Sequence, residues 1–293
     1  MSLVALGAVR SCGATTLALA LAATWPPGRR VLLAELDPAG GTLAAASGWP
    51  PEPGLVSLAA AARRASDPDL VWGHCQTLPG GGFVLAGPAS ADRARTALGM
   101  LTGLLVRLGE LDADVLVDCG RLAGTPPSPV LAGADLVVLV ARPRLADLHS
   151  LATWREAKPI AAGRLGLVLV GDGPYPDAEV AEALGIEPLS SLPWDPDAAA
   201  ALVSVPATAR ELRVAPLVRA ARTLADQLSG EPARAVDAHA DTTDTAAPAR
   251  SPAGPQRTRV LGTRLLGSTV LRAWRAEPVA RSTNGSAPEE VGS

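Results

Sequence analysis

Over residues 1–228, short uninterrupted apolar runs alternate with longer stretches whose apolar positions recur at helical spacing. The runs at 3–6, 31–36, 83–86, 115–118, 136–140 and 165–170 predict strands, with a weaker one at 189–192. Residues 15–24, 91–108, 145–157, 177–184 and 207–228 predict helices. Strands that are apolar at every position, with no polar alternation, need cover on both faces. The expected fold class is therefore α/β, a doubly wound, mainly parallel sheet with helices on both faces.

Past residue 228 the pattern fails. Residues 229–256 turn to Ala, Pro, Asp, Thr and Ser and predict a disordered linker. Residues 257–277 regain Leu, Val and Trp, and 278–293 form a polar tail predicted to be disordered. At 100° per residue, Arg257, Arg264, Arg272 and Arg275 gather on one sector and Val260, Leu266, Val270, Leu271 and Trp274 on another. Arg259, Leu261 and Leu265 blur the separation, and Gly262 and Gly267 lower helix propensity. A basic amphipathic segment of this kind predicts either peripheral membrane contact or docking on a partner.

Composition narrows the function classes. Hydrophobic residues make up 48% of the chain, yet no apolar run reaches the roughly 18–20 residues of a bilayer-spanning helix. Arg10 ahead of the apolar stretch 17–23 is not read as an export signal, because residues 3–6 are already strand-like. Three scattered cysteines, Cys12, Cys75 and Cys119, exclude a fully paired disulfide framework and predict a reducing, cytoplasmic setting. Residues 1–227 hold 18 basic and 22 acidic side chains, so no basic excess predicts DNA binding. Only Lys158 is lysine among 26 basic residues, a bias that limits what any single Arg means.

The segment Leu3 to Thr16 carries the most information. A strand feeding a tight loop that opens a helix aims backbone N–H groups at one point, which is how proteins hold phosphate. Gly13 and Thr15 stand where a P-loop has its second glycine and its Mg²⁺-binding hydroxyl, but Ala14 stands at the lysine and Ala8 at the first glycine, with Gly7 beside it. The second strand then ends in Glu35 and Asp37, and the strand from Asp114 ends in Asp118-Cys119-Gly120-Arg121. Further runs follow at 134–140, 166–172 and Leu192-Pro193-Trp194-Asp195.

This ordered series resembles the ParA/MinD family of deviant Walker A P-loop ATPases, over roughly residues 1–228. The resemblance implies a P-loop NTPase-like domain and a nucleotide site at Arg10, Ser11, Cys12, Gly13, Ala14, Thr15, Thr16, Asp37 and Asp118, with Thr15 and Asp118 serving a metal. The family's two loop lysines fall on Val9 and Ala14, and its two early glycines on Arg10 and Ser11. Its adenine-recognising asparagine is replaced in the Gly171-Asp172 region, and Trp194 falls near its base pocket.

Phosphoryl transfer is catalysed by positioning and by charge, so the loss of both lysines predicts ATP and Mg²⁺ binding that is weak or absent, and no catalytic residue. The expected function is a degenerate positioning or scaffold protein, with protein partners in a pilus, secretion or partition system and a capacity to form homodimers. The TadZ/CpaE-like branch of Tad/Flp pilus assembly is similar at Asp118-Cys119-Gly120-Arg121. The alternative is an active ParA-type partition ATPase that binds DNA as a dimer. His74-Cys75 lacks further ligands at metal spacing, Cys12 with Cys119 has no redox signature, and no Gly-x-Ser-x-Gly elbow occurs.

Overall fold

The computed structural model describes residues 2–65, 67–78, 82–122, 129–157, 160, 164–203 and 214–240, the last ten of these in backbone only. The strands are β1 (Leu3–Ala8), β2 (Val31–Glu35), β3 (Gln76–Thr77), β4 (Phe83–Leu85), β5 (Asp114–Arg121), β6 (Leu136–Ala141), β7 (Leu165–Val170) and β8 (Pro188–Leu192). They form one sheet in the order β3-β4-β2-β5-β1-β6-β7-β8. Every neighbouring pair is parallel except β3 with β4. Helices α1 (Ala14–Thr24), α2 (Leu43–Ala46), α3 (Leu55–Ala62), α4 (Ala91–Met100), α5 (Thr102–Leu105), α6 (Pro129–Gly133), α7 (Leu145–Ala157), α8 (Asp177–Leu184), α9 (Pro196–Val203) and α10 (Pro216–Ala240) cover it.

Alternation survives inside the apolar strands as a division between two cores. Leu3, Ala5, Leu32, Val115, Val117, Val137 and Leu139 meet Leu58 of α3, Leu151 of α7 and Val180 of α8 on one face. Val4, Leu6, Leu33, Leu116, Val138 and Val140 meet Leu17 and Leu21 of α1 and Leu224 and Leu228 of α10 on the other. The doubly wound α/β fold expected from the sequence is thus the observed one.

Several elements depart from expectation. The helix predicted over 91–108 breaks at Leu101, which is fully buried, and resumes in α5 so that Leu104 and Leu105 stay in the core. Helices α2 and α6, of 4 and 5 residues, are too short to show a period. The sequences of α3 and α9, LVSLAAAA and PDAAAALV, are Ala-rich, with little apolar contrast in an Ala-rich chain. Helix α10 runs on to Ala240, past residue 229 where the sequence predicts a disordered linker; Ala and Arg among these residues are good helix formers. Residues 241–256, the amphipathic segment 257–277 and the tail 278–293 lie outside the described residues. Among the described residues no helix is long and apolar enough to cross a membrane.

One polar clasp closes the edge of the sheet opposite the phosphate-loop position. Asp114, at the start of β5, is buried and accepts from Arg29 Nε at 2.5 Å and Nη2 at 2.7 Å, and from Trp25 Nε1 at 2.9 Å. It also accepts from Ser2 N at 3.0 Å and Ser2 Oγ at 3.2 Å, tying the chain start and the end of α1 to the central strands. Burial alone would raise the Asp114 pKa; the Arg29 and Trp25 hydrogen bonds and the Arg29 charge more than reverse this, and the pKa is lowered.

A depressed carboxyl pKa contributes stability that is present above the unfolded value and lost as pH falls through the folded one. Asp114→Ala strands Arg29 and the Trp25 N–H and is expected to cost about 3 kcal/mol in urea unfolding near neutral pH. The gap from wild type should narrow below about pH 4.

Candidate functional site

The carboxyl ends of β1, β2, β5 and β6 open on the same side of the sheet. The α1 connection carries the chain from β1 towards β2, whereas β6 lies on the opposite side of β1, so the strand order reverses there. Ligands of doubly wound folds bind outside such a switch point.

After β1 the chain turns at Val9 to Cys12 and enters α1 through Gly13, which is left-handed at φ 94. This is the backbone freedom the second loop glycine supplies. No side chain caps α1 and no acidic residue sits in its first turn, so its leading N–H groups face the loop. Gly7 does not replace the missing first glycine. It lies within β1, and a Cβ there would stand 2.6 Å from Leu122 Cδ2, so its role is packing.

Val9 and Ala14, where the resemblance would put the family's lysines, carry apolar side chains. Ala14 is 6% exposed and packs on the α1 side of the sheet, while Val9 packs against the opposite core. Arg10 pairs with Asp147 of α7, Nε to Oδ1 at 3.1 Å. Ser11 is exposed and its Oγ accepts from Arg121 Nη2 at 2.9 Å. Cys12 is buried; desolvation and the neighbouring Asp147 push its thiol pKa up.

Two carboxylates converge behind the loop. Asp118, in β5, is fully buried; its Oδ1 accepts from Gly120 N at 2.9 Å. Its Oδ2 is buried and has no hydrogen-bond partner among the described residues. Burial pushes the Asp118 pKa up to about 6, against the pull of Thr15 and Gly120 and with the help of the Asp37 charge. Asp37 accepts from Ala39 N at 2.7 Å, and burial raises its pKa as well. Gly120 is left-handed at φ 57, and a Cβ there would collide with the Asp37 carboxylate.

A cavity of about 240 Å³ occupies this junction, lined by Arg10, Ser11, Cys12, Gly13, Ala14, Thr15 and Asp37, with Gly120 and Arg121 opposite. Asp118 stands behind it. Thr16 lines a second cavity of about 280 Å³, walled by Leu17, Leu192, Trp194 and Leu217, where the Arg142 guanidinium lies 4.1 Å from the centroid of the Trp194 ring. Among the described residues no group of three His, Cys, Asp or Glu forms a metal cluster.

Glu35 belongs to the scaffold. It is 1% exposed and accepts from Thr42 N at 2.6 Å, Leu43 N at 3.0 Å and Gly87 N at 2.9 Å, joining the start of α2 to the loop after β4. The acidic pair after β2 is therefore divided, Glu35 bracing the loops and Asp37 facing the cavity. Sequence reasoning missed Arg142, whose place directly after a parallel strand beside the switch point was the available signal.

The donor set fits one part of a nucleotide–magnesium group and not another. Helix N–H groups, the left-handed Gly13, the Thr15 hydroxyl and the orphaned Asp118 Oδ2 suit a phosphate with a divalent cation beside it. The buried methyl of Ala14 supplies none of the charge that position 14 would need.

No protein-family model matches the sequence, and no curated protein matches it. Solved structures match the fold. A ParA family ATPase from Chlorobium tepidum TLS superimposes with a TM-score of 0.65 at 18% identity, covering 76% of this chain and 98% of its own. The Pyrococcus furiosus cell division ATPase MinD gives 0.62 at 18%, covering 78% and 99%. The septum site-determining protein MinD of Pyrococcus horikoshii OT3, complexed with Mg-ADP, gives 0.59 at 18%, covering 79% and 99%. The chain has the P-loop NTPase-like α/β fold of ParA and MinD ATPases.

A carboxyl whose pKa rises on folding disfavours its own charged form, so its cost to stability grows between the unfolded pKa of about 4 and the folded value. Asp118→Asn keeps the acceptor for Gly120 and removes that charge. In metal-free buffer above pH 7 it is expected to stabilise by about 1–3 kcal/mol in thermal unfolding, with the gain vanishing near pH 4.

Proposed function

We propose that this chain is a noncatalytic, weakly nucleotide-binding positioning or scaffold protein of the ParA/MinD type. The observation that carries this reading is Ala14, a buried methyl at the first residue of α1, in a phosphate loop whose left-handed Gly13 is retained. A preorganised charge on a transferring phosphoryl group is worth about 3–4 kcal/mol, and this loop lacks two. Arg10 does not compensate, because its guanidinium is engaged by Asp147 and its planar fork differs from a lysine's point charge.

In this reading the α1 N–H groups hold phosphate, and Thr15 and Asp118 hold the magnesium ion, which would supply charge neutralisation there. Trp194 and Arg142 wall the apolar cavity in which a base would lie. The partners are proteins of a pilus or secretion assembly of the Tad/Flp kind, a role supported by the resemblance at Asp118 to Arg121. The domain then acts as a homodimer or a docking platform at the cytoplasmic side, with residues 257–277 as a separate contact for membrane or partner. The acidic balance of residues 1–227 argues against DNA as the surface on which it is placed.

Calorimetry with ATP and Mg²⁺ is expected to give a dissociation constant no tighter than about 100 μM. Low-micromolar binding would overturn the degenerate-site reading. Ala14→Lys should improve nucleotide affinity without brisk turnover, since Arg10 and Ser11 still shape the loop. Nucleotide-linked dimerisation, read by light scattering, should require Val9→Lys in addition. Rapid hydrolysis by the single variant would show the loop geometry to be intact.

A further inference from the structure

Beside the loop cavity, at the carboxyl ends of β1, β5 and β6, lies a recess of about 580 Å³ lined by Arg10, Arg121, Arg142 and Arg144, with Asp147 as the carboxylate among its lining residues. The ends of three strands, β1, β5 and β6, bring these arginines together, so the sheet order, not local sequence, concentrates them. The chain as a whole is acidic, at a formal net charge of -3, which makes the concentration local.

The four guanidiniums are unequally engaged. Arg10 is held by Asp147 at 3.1 Å. Arg121 donates to Ser11 Oγ, and its charge draws on Asp37. Arg142 lies against the face of Trp194, and its buried Nε–H has no acceptor among the described residues. Arg144 is exposed at the rim. Like charges in one hollow repel, and a buried donor without an acceptor is unfavourable; both are relieved by an oxyanion.

We propose that this recess is a magnesium-independent polyphosphate site in which Arg121, Arg142 and Arg144 supply the positive charge that the loop's lysine positions lack. Guanidinium forks match phosphate oxygens bidentately. The recess and the loop cavity share Arg10, Ser11 and Arg121 as lining residues, so a chain of phosphates can extend from one into the other. Two sources share this chemistry, the terminal phosphates of a nucleotide and free inorganic polyphosphate. The proposal rests on the noncatalytic reading of the loop, since a loop lysine would make these arginines redundant.

The test is calorimetry of the full chain with sodium tripolyphosphate in EDTA. Binding is expected, weakened by added salt and about tenfold or more weaker in the Arg142→Gln, Arg144→Gln double variant. The double variant's thermal midpoint should match or exceed that of wild type, because repulsion is relieved. Arg144→Gln alone, at an exposed position, should weaken binding about threefold, and Arg144→Lys should restore most of it. ATP added in EDTA assigns the source: competition points to a nucleotide's phosphates and simultaneous binding to free polyphosphate, either of which supports the site. Absence of binding at millimolar tripolyphosphate, or equal binding by wild type and the double variant, overturns it. Turnover of ATP in Mg²⁺ would refute the noncatalytic reading and leave the EDTA isotherms unchanged, so the two failures are distinguishable.

Discussion

The parallel pairing of β1 with β5 on one side and β6 on the other is the constraint on which the site depends. Its register sets Leu6 opposite Asp118 and Gly7 opposite Leu139, so three loops leave the sheet at the same height. Gly13 then turns the first loop into α1, and Gly120 lets the Asp37 carboxylate lie against the end of β5. Both glycines are left-handed, a geometry that side chains disfavour. The Asp114 clasp holds the opposite edge of the same strands, so the cradle stands on a ladder fixed at both ends.

Positive charge around this cradle stands at its rim. Apolar side chains stand at Val9 and Ala14, and the buried Asp118 keeps one oxygen unpaired at a raised pKa. The arginines stand around the rim, at the carboxyl ends of β1, β5 and β6. Charge held at the rim can retain an anion, whereas stabilising a transferring phosphoryl group requires charge aimed at that group in a closed site. On the proposed reading, the arrangement holds phosphate without cleaving it.

Much of the fold was legible because buried parallel strands announce themselves as continuous apolar runs, and β1, β2, β6 and β7 lie within a residue or two of the predicted runs. What was not legible lacked contrast or length. The Ala-rich α3 and α9 have no apolar stripe that stands out, and β3 has 2 residues. At the site, the sequence pointed to the Gly13 turn, Thr15, Asp37 and Asp118, since each has a local motif. Arg142 and the scaffold role of Glu35 were hidden, because both are defined by what the sheet order brings beside them: Trp194 for Arg142, and the N–H groups of Thr42, Leu43 and Gly87 for Glu35.

In the proposed reading, a phosphate cradle is retained without the means to cleave phosphate. Single-turnover phosphate release, with protein in excess over labelled ATP and Mg²⁺ present, tests it most directly, because excess protein offsets weak binding. No release above the protein-free rate is expected. Release that depends on the protein and is abolished by Thr15→Ala would contradict it.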